Sequence, residues 1–265
     1  MDLPRKRDVF IELSEVSLLQ IKNLQKKYSQ GFHLHAEDCT IGTDQLVAFL
    51  GANGSGKTTL FEILSGNSDV SQGSVHWKGQ RMLPDHAELK RQFGYLPQNM
   101  HLPKWVTGQE LLTYASLLYG IKAHKDVVMR SMEYWDCASY KDKPLASCSY
   151  GMQKRIGLAL STLHDPDCLI LDEPFSGLDI LHIHSLEEAL RRRQAQGKLT
   201  ILSTHIIPYV VQSCGRVFIL EDGKVFEIKT WAQQSYEERT KGIEDHFFHK
   251  GRRSTHVVEG PTTDR

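Results

Sequence analysis

The chain has 265 residues, enough for one large domain or two small ones with a sizeable core. Its 32 Lys and Arg balance 32 Asp and Glu, so no net charge draws it toward nucleic acid or an anionic membrane. No apolar run approaches the roughly 20 residues that span a bilayer, and the charged start lacks the apolar stretch of a secretory signal, which predicts a soluble, cytoplasmic chain. Its 5 cysteines are scattered without a C-x-x-C pair, which argues against a disulfide framework or a zinc site.

In chain order, the first strand-length apolar run is Leu46 to Leu50, followed by Phe93 to Leu96, Cys168 to Leu171 and Leu199 to Ser203. Near-continuous apolar runs of this length suit strands buried on both faces of a parallel sheet. Gly51-Ala-Asn53-Gly54-Ser55-Gly56-Lys57-Thr58 follows the first run directly and opens a helix through Thr59, Leu60 and Leu64. It fits G-x-x-x-x-G-K-[ST] in the strand–loop–helix context that motif requires. Glycines let the loop curl so that successive N–H groups point at phosphate oxygens, and the helix N-terminus adds its partial positive charge. In such a loop Lys57 reaches the β- and γ-phosphates, and the Thr58 hydroxyl is placed to bind magnesium. The chain is thus expected to bind ATP or GTP.

Further along, Thr107-Gly-Gln-Glu110 predicts a capping box opening a helix that carries Leu111, Leu112, Ala115 and Leu118 and stops at Gly120. The stretch from about 100 to 163 is predicted helical, as an insertion in an α/β core. Ser149 suits the N-cap of a further helix. The run Cys168 to Leu171 ends on two carboxylates, Asp172 and Glu173, where parallel-sheet proteins bind ligands. A helix from near Asp179 to Gln196 carries Glu187 and Glu188 four residues before Arg191 and Arg192. Val217 to Leu220 and Lys224 to Phe226 flank Glu221-Asp222-Gly223, a hairpin signal. From about residue 250 the chain is polar and unpatterned, and a loose tail is expected. His33-x-His35 and His182-x-His184 lack further ligands at a metal-binding spacing.

In their order and spacing, these motifs resemble the ATPase subunit of an ABC transporter, of the type made as a separate chain, over roughly residues 18 to 227. The resemblance implies an α/β P-loop NTPase (RecA-like) core with an antiparallel β subdomain and an inserted helical subdomain at about 100–163. An extension of 1–17 precedes this domain and one of 228–265 follows it. ATP and Mg2+ are the implied ligands. Gly51, Asn53, Gly54, Ser55, Gly56, Lys57, Thr58 and Thr59 would surround the phosphates, and Thr58, Gln98 and Asp172 the magnesium. Glu173 resembles the general base that polarises the attacking water, and Gln98 the glutamine that contacts magnesium and that water. His205 resembles the switch histidine, which donates to the γ-phosphate.

Cys148-Ser-Tyr-Gly-Met152 resembles the signature usually written LSGGQ. It departs at Cys148, Tyr150 and Met152 and keeps Ser149 and Gly151, which in the family contact the γ-phosphate held by a partner subunit. Asp179, in Ser176-Gly-Leu-Asp179, resembles a residue of the loop that crosses the dimer interface. Tyr28, 23 residues before Gly51, resembles the aromatic that stacks on adenine, with nearby Phe32 competing for the role. A second ATPase subunit and a separate transmembrane permease are the implied partners, and the chain would lie peripherally at the cytoplasmic face of the membrane. The apolar Met100, Leu102, Trp105 and Val106 read either as core or as the permease-docking segment. His101 to Ile121 resembles export-type subunits more than nutrient importers. The alternative, a non-transport ABC ATPase acting on DNA or the ribosome, is opposed by the lack of a coiled-coil insertion, the single ATPase domain and the neutral charge. A regulatory chain that binds ATP without turnover is opposed by Glu173 and His205.

Overall fold

The computed structural model describes residues 19–29, 31–42 and 45–251. The expected extension at 1–17 and most of the expected loose tail lie outside the described residues. The described residues begin with β1 (Leu19–Lys27), β2 (His33–Ala36) and β3 (Cys39–Ile41), then β4 (Leu46–Leu50) leading into α1 (Lys57–Leu64). A hairpin of β5 (Gln72–Trp77) and β6 (Gln80–Arg81) precedes the short α2 (Ala87–Lys90) and β7 (Phe93–Leu96). Three helices follow: α3 (Gly108–Leu118), α4 (His124–Tyr134) and α5 (Tyr150–Thr162). The chain then alternates through β8 (Cys168–Leu171), α6 (Ile180–Ala195), β9 (Leu199–Ser203) and α7 (Ile207–Ser213). The last described elements are the hairpin β10 (Arg216–Glu221) and β11 (Lys224–Glu227), and α8 (Tyr236–Gly251).

Among the described residues, the strands join one sheet in the order β6-β5-β1-β2-β11-β10-β4-β9-β8-β7, with β3 also pairing β1. From β10 to β7 every pairing is parallel. At the other end β1, β2, β3, β5 and β6 pair antiparallel, so a parallel α/β core carries an antiparallel subdomain. The period of two along a strand sorts side chains between the sheet's faces. On β4, Leu46, Ala48 and Leu50 join a core with α3 to α8, whereas Val47 and Phe49 join one with α1 and the antiparallel strands. On β8, Leu169 and Leu171 take the first side and Cys168 and Ile170 the second. Burial on both faces explains why these strands read as unbroken apolar runs.

The α3 capping box is formed: Thr107 N–H donates to Glu110 Oε2 at 2.8 Å, and Glu110 N–H donates to Thr107 Oγ1 at 3.2 Å. Regular helix begins at Gly108 rather than near residue 100, since Pro97 and Pro103 supply no backbone donor. Met100, Leu102 and Val106 pack on the helical-side core, while Trp105 is 83% exposed. No helix among the described residues is long and apolar enough to cross a membrane.

Beyond the hairpin, α8 adds an element that the patterning of the chain did not suggest. Its N-terminus repeats the capping-box chemistry, with Ser235 N–H donating to Glu238 Oε2 at 2.7 Å and Glu238 N–H to Ser235 Oγ at 3.3 Å. Arg239 ties it down by donating to the carbonyls of Trp231 (2.9 Å) and Val211 (3.0 Å), and Ile243 is fully buried beneath it.

Candidate nucleotide site

The phosphate loop runs from the C-terminal end of β4 to the first turn of α1. Gly54 (φ 80°) and Gly56 (φ 111°) occupy the left-handed half of backbone space, which a side chain disfavours. At Gly56 there is also no room for a Cβ, because Phe32 Cζ would lie 2.7 Å away. Lys57 is buried and donates through Nζ to the carbonyls of Gly51 (2.6 Å) and Ala52 (3.1 Å). Burial pushes its pKa below the ordinary lysine value, against the opposing pull of Glu173 and Asp172. Ser55 Oγ is buried without a hydrogen-bond partner.

Across from the loop stand the two carboxylates that follow β8. Asp172 is fully buried and accepts from Thr58 Oγ1 and Ser203 Oγ, each at 2.5 Å. Ser203 Oγ in turn accepts from the Glu173 N–H at 2.9 Å, so β8 and β9 are tied together at their ends. Glu173 has φ 48°, a strained conformation for a residue with a side chain. Its Oε1 lies 3.0 Å from His205 Nε2. Burial raises its carboxyl pKa, and His205 and then Lys57 pull it back down. Gln98 lines a cavity of about 430 Å³ with Phe32, Lys57, Thr58 and Thr59. Thr58, Gln98, Asp172, Glu173 and His205 therefore converge on one end of the parallel sheet, although 114 residues separate Thr58 from Asp172.

The signature segment forms the N-terminus of α5. Ser149 is its N-cap, accepting from Met152 N–H at 3.3 Å, and Gly151 follows in the first turn. Asp179 is the N-cap of α6, accepting from His182 N–H at 3.1 Å. This cap lowers the Asp179 pKa, with the backbone hydrogen bond as the largest cause.

The family model for the ABC transporter matches residues 34–176.

The chain belongs to the ABC transporter family.

It is an ATP-binding, ATP-hydrolysing subunit of such a transporter. It is similar to YhaQ, an uncharacterised ABC transporter ATP-binding protein of Bacillus subtilis, with 32% identity over 209 residues, 78% of this chain and 69% of that protein. It is also 28% identical over 211 residues to the Nod factor export ATP-binding protein I of Burkholderia orbicola, covering 79% of this chain and 69% of that one. Among solved structures, the ATP-binding subunit of an ABC transporter superposes with a TM-score of 0.73 and 28% identity, over 85% of this chain and 99% of that chain. The dimeric cassette MJ0796 bound to ADP and Pi superposes with a TM-score of 0.71 over 79% of this chain and 97% of that chain; at 20% identity it speaks for the fold.

Tyr28 stands apart from the other candidates in this ABC ATPase. It is 39% exposed, its ring centroid 6.2 Å from that of Phe32, while Phe32 lines both cavities beside the phosphate loop. Two residues at the site carried no sequence signal. Ser203 looks like the end of an apolar strand, yet it links the two carboxylates. Lys154, within Gln153-Lys154-Arg155, looks solvated but is fully buried with Nζ unpartnered by hydrogen bonds, and burial lowers its pKa to about 8. The polar letters around Lys154 hid the helix face on which it falls.

Proposed function

We propose that this subunit binds ATP with Mg2+ at the phosphate loop, pairs with a second ATPase subunit to complete two hydrolysis sites, and drives a separate transmembrane permease. The observation that carries this reading is the convergence of Lys57, Thr58, Asp172, Glu173 and His205 across the end of the parallel sheet. The residues fit a hard cation: Thr58 and Gln98 offer neutral oxygens and Asp172 a carboxylate, and the set lacks soft ligands. Thr58, Gln98 and Asp172 would hold magnesium, which would supply positive charge to offset that of the phosphates.

Lys57 would leave the loop carbonyls for the phosphates, and the Ser55 to Thr59 amides would hold them at the helix N-terminus. Glu173, its backbone N–H donating a hydrogen bond to Ser203 Oγ and its carboxylate held by contact with His205, would accept a hydrogen bond from the attacking water and orient it in line. His205, 58% exposed, would donate toward the γ-phosphate while keeping Glu173 in place. Tyr28 and Phe32 would supply the aromatic side of the base subsite. The Ser149 and Gly151 end of α5 would meet the γ-phosphate of the partner's nucleotide, and Asp179 the partner's loop. The ATPase domain then spans 18–227, with 228–265 as an extension.

For the permease, Trp105 ahead of α3 and Tyr114, Leu117 and Leu118 on α3 are exposed apolar side chains. At the C-terminal end of α3, Leu118 and Tyr119 line a groove of about 600 Å³ with residues of α2 and β7, one that would receive a short permease helix and hold this subunit at the cytoplasmic face of the membrane.

ATP turnover by wild type, Lys57→Ala and Glu173→Gln tests the hydrolysis assignment. Wild type should turn over ATP, Lys57→Ala should lose binding, and Glu173→Gln should bind ATP while losing about 10²-fold or more in kcat. Full turnover in Glu173→Gln removes that residue from its role.

A further inference from the structure

At the third position of the signature, where the family has glycine, this chain has Tyr150, and its side chain touches two other segments of the site. The Tyr150 hydroxyl donates to the Gln98 carbonyl at 3.3 Å. Its ring packs on Gly177 so closely that no Cβ fits there, and Gly177 has φ 77°, so glycine is required twice over. Next along the helix, a Cβ on Gly151 would lie 2.7 Å from the Gly177 carbonyl oxygen. The first turn of α5 and the turn before Asp179 are therefore in backbone contact. On the other side, the buried Lys154 holds Nζ 6.0 Å from the Tyr150 ring centroid. Further along α5, Gly157 has no room for a Cβ against the Met100 sulfur, two residues past Gln98. The Gln98 segment is thus fixed to α5 at two points.

From these contacts we propose that Tyr150 is a positioning residue for hydrolysis. It locks the Gln98 segment, the N-terminus of α5 and the Gly177 turn into one unit within a subunit. The inference rests on the two-site reading above. Gln98 serves the subunit's own nucleotide, whereas Ser149, Gly151 and Asp179 face the partner's. A rigid link between them places contacts to both nucleotides in register when the two chains close. Glycine at position 150 would have neither the ring to fill the space over Gly177 nor the hydroxyl to reach Gln98.

The test uses the full-length protein with Tyr150→Phe, which keeps the ring and removes only the hydroxyl, and Tyr150→Gly, which removes both. ATP affinity should stay within about twofold of wild type, because the phosphate loop is untouched. Turnover at saturating ATP should fall about fivefold for Tyr150→Phe, the worth of one neutral hydrogen bond, and further for Tyr150→Gly, with KM little changed. In Tyr150→Phe, amide hydrogen exchange should rise at residues 98–102 and 176–179 together, with an unchanged thermal midpoint. A residue that only packed locally would loosen the first turn of α5 alone. Turnover within twofold of wild type for Tyr150→Phe, or exchange confined to that first turn, overturns the proposal. If Tyr150→Gly does not fold, Tyr150→Phe decides. Glu173→Gln run alongside separates the two claims: full turnover there defeats the hydrolysis reading itself, whereas its loss beside unaffected Tyr150 variants defeats only this inference.

Discussion

Glu173 holds a left-handed backbone conformation that costs a residue with a side chain on the order of 1 kcal/mol or more, and the fold sustains it through the hydrogen bond from the Glu173 N–H to Ser203 Oγ. The motif letters around Asp172 and Glu173 pointed to this pair, because they end an apolar strand in a chain that also carries the Gly51 to Thr58 loop. They could not show Ser203, whose hydroxyl is indistinguishable in sequence from any strand-end serine. Lys154 was hidden for the opposite reason, since a lysine beside Gln153 and Arg155 reads as solvent-facing until the helix is placed. Its environment gives a prediction with a definite sign. Burial lowers the folded pKa to about 8 from 10.5, so between those values the unfolded chain keeps a proton that the folded chain has released. Stability contributed at this site therefore rises as pH increases through that window. Lys154→Met should abolish the rise and should not lower stability at pH 7, because an apolar side chain of similar length replaces a buried charge. Urea unfolding at pH 7, 8, 9 and 10 checks both; a Lys154→Met protein that keeps the wild-type pH dependence would contradict the buried position.

Among the elements, the core strands were legible because each is buried on both faces and bounded by a turn or cap. The Thr107 capping box and the Glu221 to Gly223 turn were equally legible, since each depends on residue types a few positions apart. In contrast, α8 escaped notice because its amphipathic pattern is weak and its charged letters dominate. The Ser235 and Glu238 pair offered the same signal that marked α3. If α8 is docked as described, Ile243→Ala removes a fully buried side chain and should cost about 2–5 kcal/mol by urea denaturation. A cost under about 0.5 kcal/mol would mean that α8 does not pack on α7. The apolar segment after Gln98 divides by burial: three of its four residues belong to the core, leaving Trp105 for a partner. Trp105→Ala should therefore weaken co-purification with the permease while leaving the thermal midpoint and basal ATP turnover near wild type. Unchanged co-purification would remove Trp105 from the docking surface.

For the whole molecule, the parallel core gathers residues distant in sequence at one end of the sheet, and the helices after β7 bring the signature segment to the surface. Sequence order alone carried the family likeness, because the motifs fall in a fixed succession along the chain. It did not carry the cis contacts of Tyr150 with Gln98 and Gly177, which depend on packing between segments that no motif joins. On the proposed reading each phosphate loop is half of a site completed by a second subunit. Light-scattering mass measurement of Glu173→Gln, with and without ATP and magnesium, tests it most directly. Glu173→Gln should be a monomer without nucleotide and double in mass with ATP and magnesium, and Ser149→Arg at the signature should reverse the doubling. A mass that stays monomeric under saturating ATP and magnesium would contradict it.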